Sequence, residues 1–225
     1  MLASMRLVAI ADTHLYHRPL QVPEGDVLIH AGDMCRRGSL DELSLAADWL
    51  RAMPHRHKIV VAGNHDWAFA LHPDEARALF DGGGVEYLED AGATIDGVRF
   101  WGSPWQPAFH GWAFNLARGP ELAAKWALIP EGLDVLITHG PPAGIGDHSA
   151  MTGRTGCADL RARLAVVRPR VHLFGHIHED GGAWPLDGTC FVNCTTWESD
   201  RAPTVIDLDA DGSVRVDAPP PGRPR

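Results

Sequence analysis

Five short apolar runs in this chain each end at an acid, an amide or an imidazole. Leu7 to Ala11 leads into Asp12 and His14. Val27 to His30 leads through Gly32 to Asp33, and Lys58 to Ala62 through Gly63 to Asn64 and His65. Asp134 to Thr138 leads into His139, and Arg170 to Phe174 leads through Gly175 to His176 and His178. Runs of this length and composition read as buried strands. Helical patterns lie between them, so the expected fold class is α/β (α+β). In sheets of this kind the crevice beyond the carboxyl ends of the strands is where ligands bind. Five separate segments are therefore expected to deliver polar side chains to one place.

Helix and turn signals fill in the rest. Ser39 is a good N-cap, and Glu42 stands three residues on as a capping-box partner. Leu40, Leu43, Ala47 and Leu50 follow at helical spacing until Pro54. Further helices are predicted over Pro73 to Phe80, Pro120 to Leu128 and Asp159 to Val167. Asp96-Gly97, Asp187-Gly188 and Asp211-Gly212 lie between extended residues and predict β-hairpins. The organisation expected is one domain over residues 1–217, with a mixed sheet or a pair of sheets flanked by helices. Residues 218–225, with four prolines, are expected to be a loose tail.

Bulk properties narrow the function. The formal net charge is −9, which argues against a nucleic-acid polymer or an anionic membrane as partner. An anionic small substrate is compatible with that charge if bound cations supply local positive charge. The N-terminal apolar run is too short for a secretory signal and reads as a strand, and no run reaches the ~18 residues of a membrane span. Cys35, Cys157, Cys190 and Cys194 show no paired zinc spacing. They are expected to be reduced thiols in the cytoplasm, with a Cys190–Cys194 disulfide as the alternative.

Asp, Asn and His suit divalent ions of the Mn, Fe, Zn and Co series. Asp12 and His14 are two apart, as are His176 and His178, so in extended backbone each pair would project to one side. Gly32, Gly63, Gly140 and Gly175 adjoin the polar residues, and a neighbour without a side chain lets the backbone turn tightly around an ion.

The ordered blocks Asp12-x-His14, Gly32-Asp33, Gly63-Asn64-His65-Asp66, His139 and Gly175-His176-x-His178 resemble those of the calcineurin-like metallophosphoesterase superfamily. The stretches Gly102-Ser-Pro-Trp-Gln-Pro, Gly111-Trp-Ala-Phe-Asn, Thr138-His-Gly-Pro-Pro and Val171-His-Leu-Phe-Gly-His-Ile-His-Glu carry a closer resemblance to its metallophosphoesterase-domain-containing (MPPED) subgroup of phosphodiesterases. The resemblance implies a four-layer αββα sandwich of two mixed sheets flanked by helices. It also implies two divalent ions, manganese first, with Fe, Zn, Co or Ni as alternatives. One ion would be held by Asp12, His14, Asp33 and His178, the other by Asp33, Asn64, His139 and His176, with Asp33 shared. A hydroxide between the ions would attack phosphorus in a small phosphodiester such as a cyclic nucleotide. His65 would protonate the leaving oxygen or hold a phosphoryl oxygen, and Asp66 would fix its ring. Animal members of the subgroup can carry glycine at the position of His176. Its presence here implies a fuller metal site and higher activity.

Other residues have competing readings. Asp66 is equally a cap for the next segment. His30 is either a core histidine or a partner that orients a ligand. His172 reads as structural, and His17, His55, His57, His72 and His110 as surface or loop residues. Arg36 is a candidate donor to the phosphate or part of a solvated turn, as is Arg37. His148, in the glycine-rich loop after His139, is a candidate substrate contact. Trp101, Trp105, Trp112 and Trp126 either pack the core, stack a nucleobase or form a homodimer contact. The rival functions are a phosphomonoesterase or phosphoprotein phosphatase with the same ligands, and a nucleotide-binding scaffold on an enzyme fold.

Overall fold

Every run predicted to be a strand is one, and the computed structural model describes residues 4–220. In chain order the main strands are β1 (Met5–Ile10), β2 (Val27–His30), β3 (His57–Val60), β4 (Val85–Tyr87), β5 (Ala91–Ile95) and β6 (Val98–Ser103). They continue with β7 (Val135–Thr138), β8 (Val171–Phe174), β9 (Gly182–Leu186), β10 (Thr189–Asn193), β11 (Thr204–Leu208) and β12 (Val214–Asp217). The helices are α1 (Leu40–Ala52), α2 (Trp67–Leu71), α3 (Pro73–Ala78), α4 (Pro120–Ala127) and α5 (Ala158–Val167).

Two six-stranded mixed sheets result, in the orders β12-β11-β1-β2-β3-β4 and β9-β10-β8-β7-β6-β5. β1 to β4 run parallel, as do β6, β7, β8 and β10, and antiparallel strands close every edge except that of β4. Strand alternation explains the layering. Leu7, Ala9, Val27 and Ile29 face Phe100, Val135, Ile137 and Leu173 between the sheets. Val8, Ile10, Leu28 and Val60 face Leu43, Ala47 and Leu50 of α1. On the opposite side Leu136, Phe174 and Phe191 pack on Trp126 of α4 and Leu160 and Leu164 of α5. The architecture is helix, sheet, sheet, helix. Strands covered on both faces must be apolar at nearly every position, as these are.

At the end that carries the polar residues the sheets are joined. Ala11 pairs in parallel with Thr195, and the backbone N–H of Thr196 donates to Ala11 O at 2.9 Å.

Several local expectations are corrected. Glu42 does not close a capping box: Ser39 Oγ accepts from Glu42 N–H at 3.2 Å, but the Glu42 carboxylate accepts from the N–H groups of Arg36, Arg37 and Gly38 at 3.1, 2.7 and 2.9 Å. α5 begins one residue early because the Cys157 sulfur accepts the Leu160 N–H at 3.4 Å. Asp96-Gly97 and Asp187-Gly188 form tight turns with both residues at positive φ, the hairpin geometry expected of them. Asp211-Gly212 also closes a hairpin, β11 pairing antiparallel with β12, through a longer loop between Leu208 and Val214. His17 and His55 are buried, not superficial: His17 packs on Trp49 with ring centroids 4.8 Å apart, and His55 Nε2 bonds Pro23 O at 2.9 Å. All four cysteines are free thiols, so the alternative disulfide is not formed. Of the expected loose tail, residues 221–225 lie outside the described residues. Pro219 and Pro220 are held, since the Arg201 guanidinium donates to their carbonyls at 2.8 and 3.1 Å.

Candidate metal centre

The backbone at the strand ends is not the extended one that the two-residue spacings suggested. Asp12, His14, Asp33 and His176 sit at φ of 56°, 42°, 58° and 70°, and His178 opens a short 3-10 turn. Left-handed backbone is uncommon for residues with a Cβ and concentrates at functional sites. It is what folds each loop sharply enough to aim its side chain back over the strand ends. The adjoining glycines are there for space. A Cβ on Gly63 would stand 2.2 Å from Asp33 Oδ1, and one on Gly175 2.7 Å from Asp12 Oδ2.

The side chains gather in neighbouring groups, two of them distinct and a third, His14, Asp33 and His65, overlapping both through Asp33 and His14. Asp12, His14 and His178 form the first and Asp33, His139 and His176 the second, with donor atoms in each lying within 4.8 Å of one another. Asn64 Oδ1 joins the second group, 3.0 Å from His139 Nε2. Asp33 stands between them: Oδ2 is 3.3 Å from His139 Nε2 and 3.9 Å from His14 Nε2, while Oδ1 accepts the His65 N–H at 2.8 Å. One carboxylate oxygen thus faces both groups.

The outer contacts suit ligation. His14 Nδ1 bonds Cys35 O and His139 Nδ1 bonds Ala31 O, both at 2.9 Å. A carbonyl can only accept, so both Nδ1 atoms carry a proton and each ring turns its Nε2 inward, the atom that would meet an ion. His14 Nε2 and His178 Nε2 lie 3.4 Å apart, an arrangement that a cation between them relieves.

Electrostatics agree. Burial raises the carboxyls of Asp12 and Asp33, yet His178 and His139 respectively outweigh it and hold both below the usual range. Burial likewise opposes charge on His139, but Asp33 pushes its ring up to about 9. His178 is raised in the same way by Asp12. Burial, reinforced by His139, pushes His176 down to about 3 and keeps it a neutral donor. In a site built of such pairs a dication takes the place of the protons.

The family model for calcineurin-like phosphoesterases matches residues 5–180. The chain belongs to that family. It is 41% identical over 232 residues to metallophosphoesterase domain-containing protein 1 of Homo sapiens, covering 90% of this chain and 71% of that protein. A UPF0046 protein of Caenorhabditis elegans is 39% identical over 201 residues, covering 84% and 69%. Among solved structures, a Thermus thermophilus protein superposes with a TM-score of 0.61 at 12% identity, over 96% of this chain and 99% of that one. That likeness speaks to the fold alone. As a calcineurin-like phosphoesterase the chain is a phosphoester hydrolase of a family that uses divalent metals, and the donor groups above fit them.

Around this metallophosphoesterase centre the remaining residues fall as follows. The half-buried His65 lies with its ring against Trp112, centroids 4.2 Å apart, and edge-on to His14 at 4.7 Å. Its Nδ1 bonds Arg36 O at 2.7 Å. The expected contact of Asp66 with that ring is replaced by another. Asp66 is fully buried and accepts the backbone N–H groups of Asp33, Cys35 and Gly63 at 2.9, 2.9 and 2.8 Å, with Met34 at 3.3 Å. It frames the loops and leaves the imidazole to a carbonyl. Arg36 and Arg37 are exposed beside a cavity of about 480 Å³ that His14, His65 and His178 also line. Arg36 packs on Tyr16, its guanidinium 3.3 Å from the hydroxyl. A second cavity, of about 450 Å³, lies across His178 and is bordered by Phe109, Pro141 and Met151. His148 does not border it, whereas the neighbouring Ser149 does. His30 Nε2 bonds Thr13 Oγ1 at 2.9 Å, inside the loop between Asp12 and His14. Trp101, Trp105 and Trp126 pack with the α4 and α5 core. Trp112 and Glu42 both stand out in the sequence, one as a packing or nucleobase-stacking residue and the other as a capping-box partner, but neither signal points to the contact with His65 or to the loop amides.

Proposed function

We propose that the chain is a phosphodiesterase with two divalent ions, manganese in the first instance, acting on small phosphodiesters such as cyclic nucleotides. The observation that carries this reading is the placement of the donor groups. They lie between two cavities that share His178, one bordered by Arg36 and Arg37 and the other largely apolar. A phosphodiester has an organic substituent on each of two ester oxygens, and a centre open on both sides accommodates them.

When bound, the ions supply positive charge that polarises the phosphoryl group and lowers the pKa of water. In this reading Asp12, His14, Asp33 and His178 hold one ion, and Asp33, Asn64, His139 and His176 the other. Asp33 is shared, because its Oδ2 faces both histidine groups. His65 is anchored through Nδ1 to Arg36 O, so Nε2 is the atom that hands a proton to the leaving oxygen. Arg36, steadied on Tyr16, binds a phosphoryl oxygen. Asp66 keeps the Asp33 and Gly63 loops in register. The free thiols suit a reducing compartment, and the cytoplasm is the location we assign. Among the described residues no helix is long and apolar enough to cross a membrane.

The test is a substrate panel on manganese-loaded protein: bis(p-nitrophenyl) phosphate, p-nitrophenyl phosphate, and 2′,3′- and 3′,5′-cyclic nucleotides. Turnover of diesters well above the monoester is expected. Turnover of the monoester alone would move the enzyme to the phosphomonoesterase class.

A further inference from the structure

Gln106 is 1% exposed and lines the apolar cavity beside His176 and His178. Its amide orientation is fixed by a chain of bonds. Asn115 Nδ2 donates to Phe109 O at 2.8 Å, which turns Asn115 Oδ1 towards Gln106. Gln106 Nε2 then donates to that oxygen and to Ala113 O, both at 3.4 Å. A flipped amide would set oxygen against two acceptors. Gln106 Oε1 therefore faces away from both, and it has no partner among the described residues. Gly140, the residue after His139, packs against this side chain: a Cβ there would stand 3.3 Å from Gln106 Cβ and 3.8 Å from Oε1.

A buried acceptor without a partner is costly and calls for an explanation. Here it borders a cavity of about 450 Å³ with Pro107, Phe109, Pro141 and the 90% exposed Met151 at its edge. His110, Arg118, Thr152 and Glu179 also line it, so the cavity has the size of a small-molecule site and joins apolar surface to several polar groups. Flat aromatic and proline surfaces and an adaptable thioether suit a planar ring system.

We infer that this cleft holds the organic substituent of the substrate, a planar heteroaromatic group, and that Gln106 Oε1 accepts a hydrogen bond from an amino group on it. The inference rests on the phosphodiesterase reading for what lies at the phosphorus, and on Gln106 for what lies beyond it. Gln106 is then a specificity-determining residue. A buried acceptor that is satisfied only by the ligand favours the ring that carries the donor over the one that lacks it.

The experiment is calorimetric binding of nucleosides, which need no turnover, to the metal-loaded full chain. Adenosine and guanosine carry amino groups and purine riboside carries none. At least one amino nucleoside is expected to bind about tenfold more tightly than purine riboside, the worth of one such bond. In Gln106→Met that ratio is expected to fall to near unity, and the ratio of kcat/KM for the matching 2′,3′-cyclic phosphates is expected to follow. Equal binding of all three by the wild type, or binding of none, overturns the inference without recourse to the variant. Turnover of bis(p-nitrophenyl) phosphate is measured alongside. Its loss would sink the diesterase reading, and its retention with no nucleoside preference would sink only the role of Gln106.

Discussion

Asp33 and His65 are bonded to each other, yet removing them is expected to do opposite things. Asp33→Ala deletes the oxygen that faces both donor groups, so both ions and all turnover are expected to be lost, read by metal analysis after loading. His65→Ala leaves every donor in place and is expected to keep its metal while kcat falls by about 10²–10⁴-fold, the range of a general acid. Full activity in His65→Ala would remove His65 from the chemistry. A third expectation concerns His172. Its Nε2 lies 2.8 Å from Thr138 Oγ1, whose hydroxyl donates to Gly140 O, so the ring is a neutral Nε2–H donor. Burial pushes its pKa down to about 3, below an unfolded value of about 6.5. Between those pH values the unfolded chain binds a proton that the folded chain refuses. Stability from this group is full above the unfolded value and declines as pH falls through the window, by up to about 1.4 kcal/mol per pH unit. His172→Gln is expected to show a shallower acid limb in urea titrations at pH 4 and 6, and an unchanged slope would refute the assignment. Identities of this kind were legible in the sequence because ligand chemistry restricts residue type. Asp66 was not, because its partners are backbone amides at residues 33–35 and 63 that only the fold brings together.

Strands and their order of appearance could be read from apolar runs, since strands buried on both faces admit few other residues. Loop conformation could not. The spacing of Asp12 and His14 is compatible with several backbones, and the left-handed one is stabilised by distant contacts such as Glu198 N–H to Asp12 O at 3.0 Å. The segment before α1 shows the same limit. Ser39 and Glu42 fit the capping-box pattern, but three loop amides lie nearer the Glu42 carboxylate. That clamp holds the stretch carrying Arg36, Arg37 and the carbonyl that anchors His65. Glu42→Ala is expected to cost about 1–3 kcal/mol and to raise KM for the diester more than it lowers kcat. Ser39→Ala removes an ordinary cap, about 1 kcal/mol, and is expected to leave KM alone. If the two variants behaved alike in KM, the clamp would have no bearing on substrate.

The donors divide by sheet. Asp12, Asp33 and Asn64 follow β1, β2 and β3, whereas His139, His176 and His178 follow β7 and β8. At this end the two sets already meet through backbone bonds of Ala11 with Thr195 and Thr196 and of Asp12 with Glu198, and through the His176 N–H with the Asp12 carboxylate and His139 with Ala31 O. Ions held by both sets therefore bind the folded chain and not the unfolded one, and stabilise by mass action. At a free concentration one hundred times Kd each ion adds roughly 2.7 kcal/mol. For a domain of this length roughly 2–4 °C in Tm accompanies each kcal/mol. Two ions are then expected to raise Tm by about 10–20 °C over chelator-treated protein in scanning calorimetry. Loading in Asp33→Ala is expected to give little or no shift, because neither group is complete without that carboxylate. Coincident curves for loaded and stripped wild type would show that the ions do not tie the sheets together. A full shift retained in Asp33→Ala would show that each group binds its ion alone.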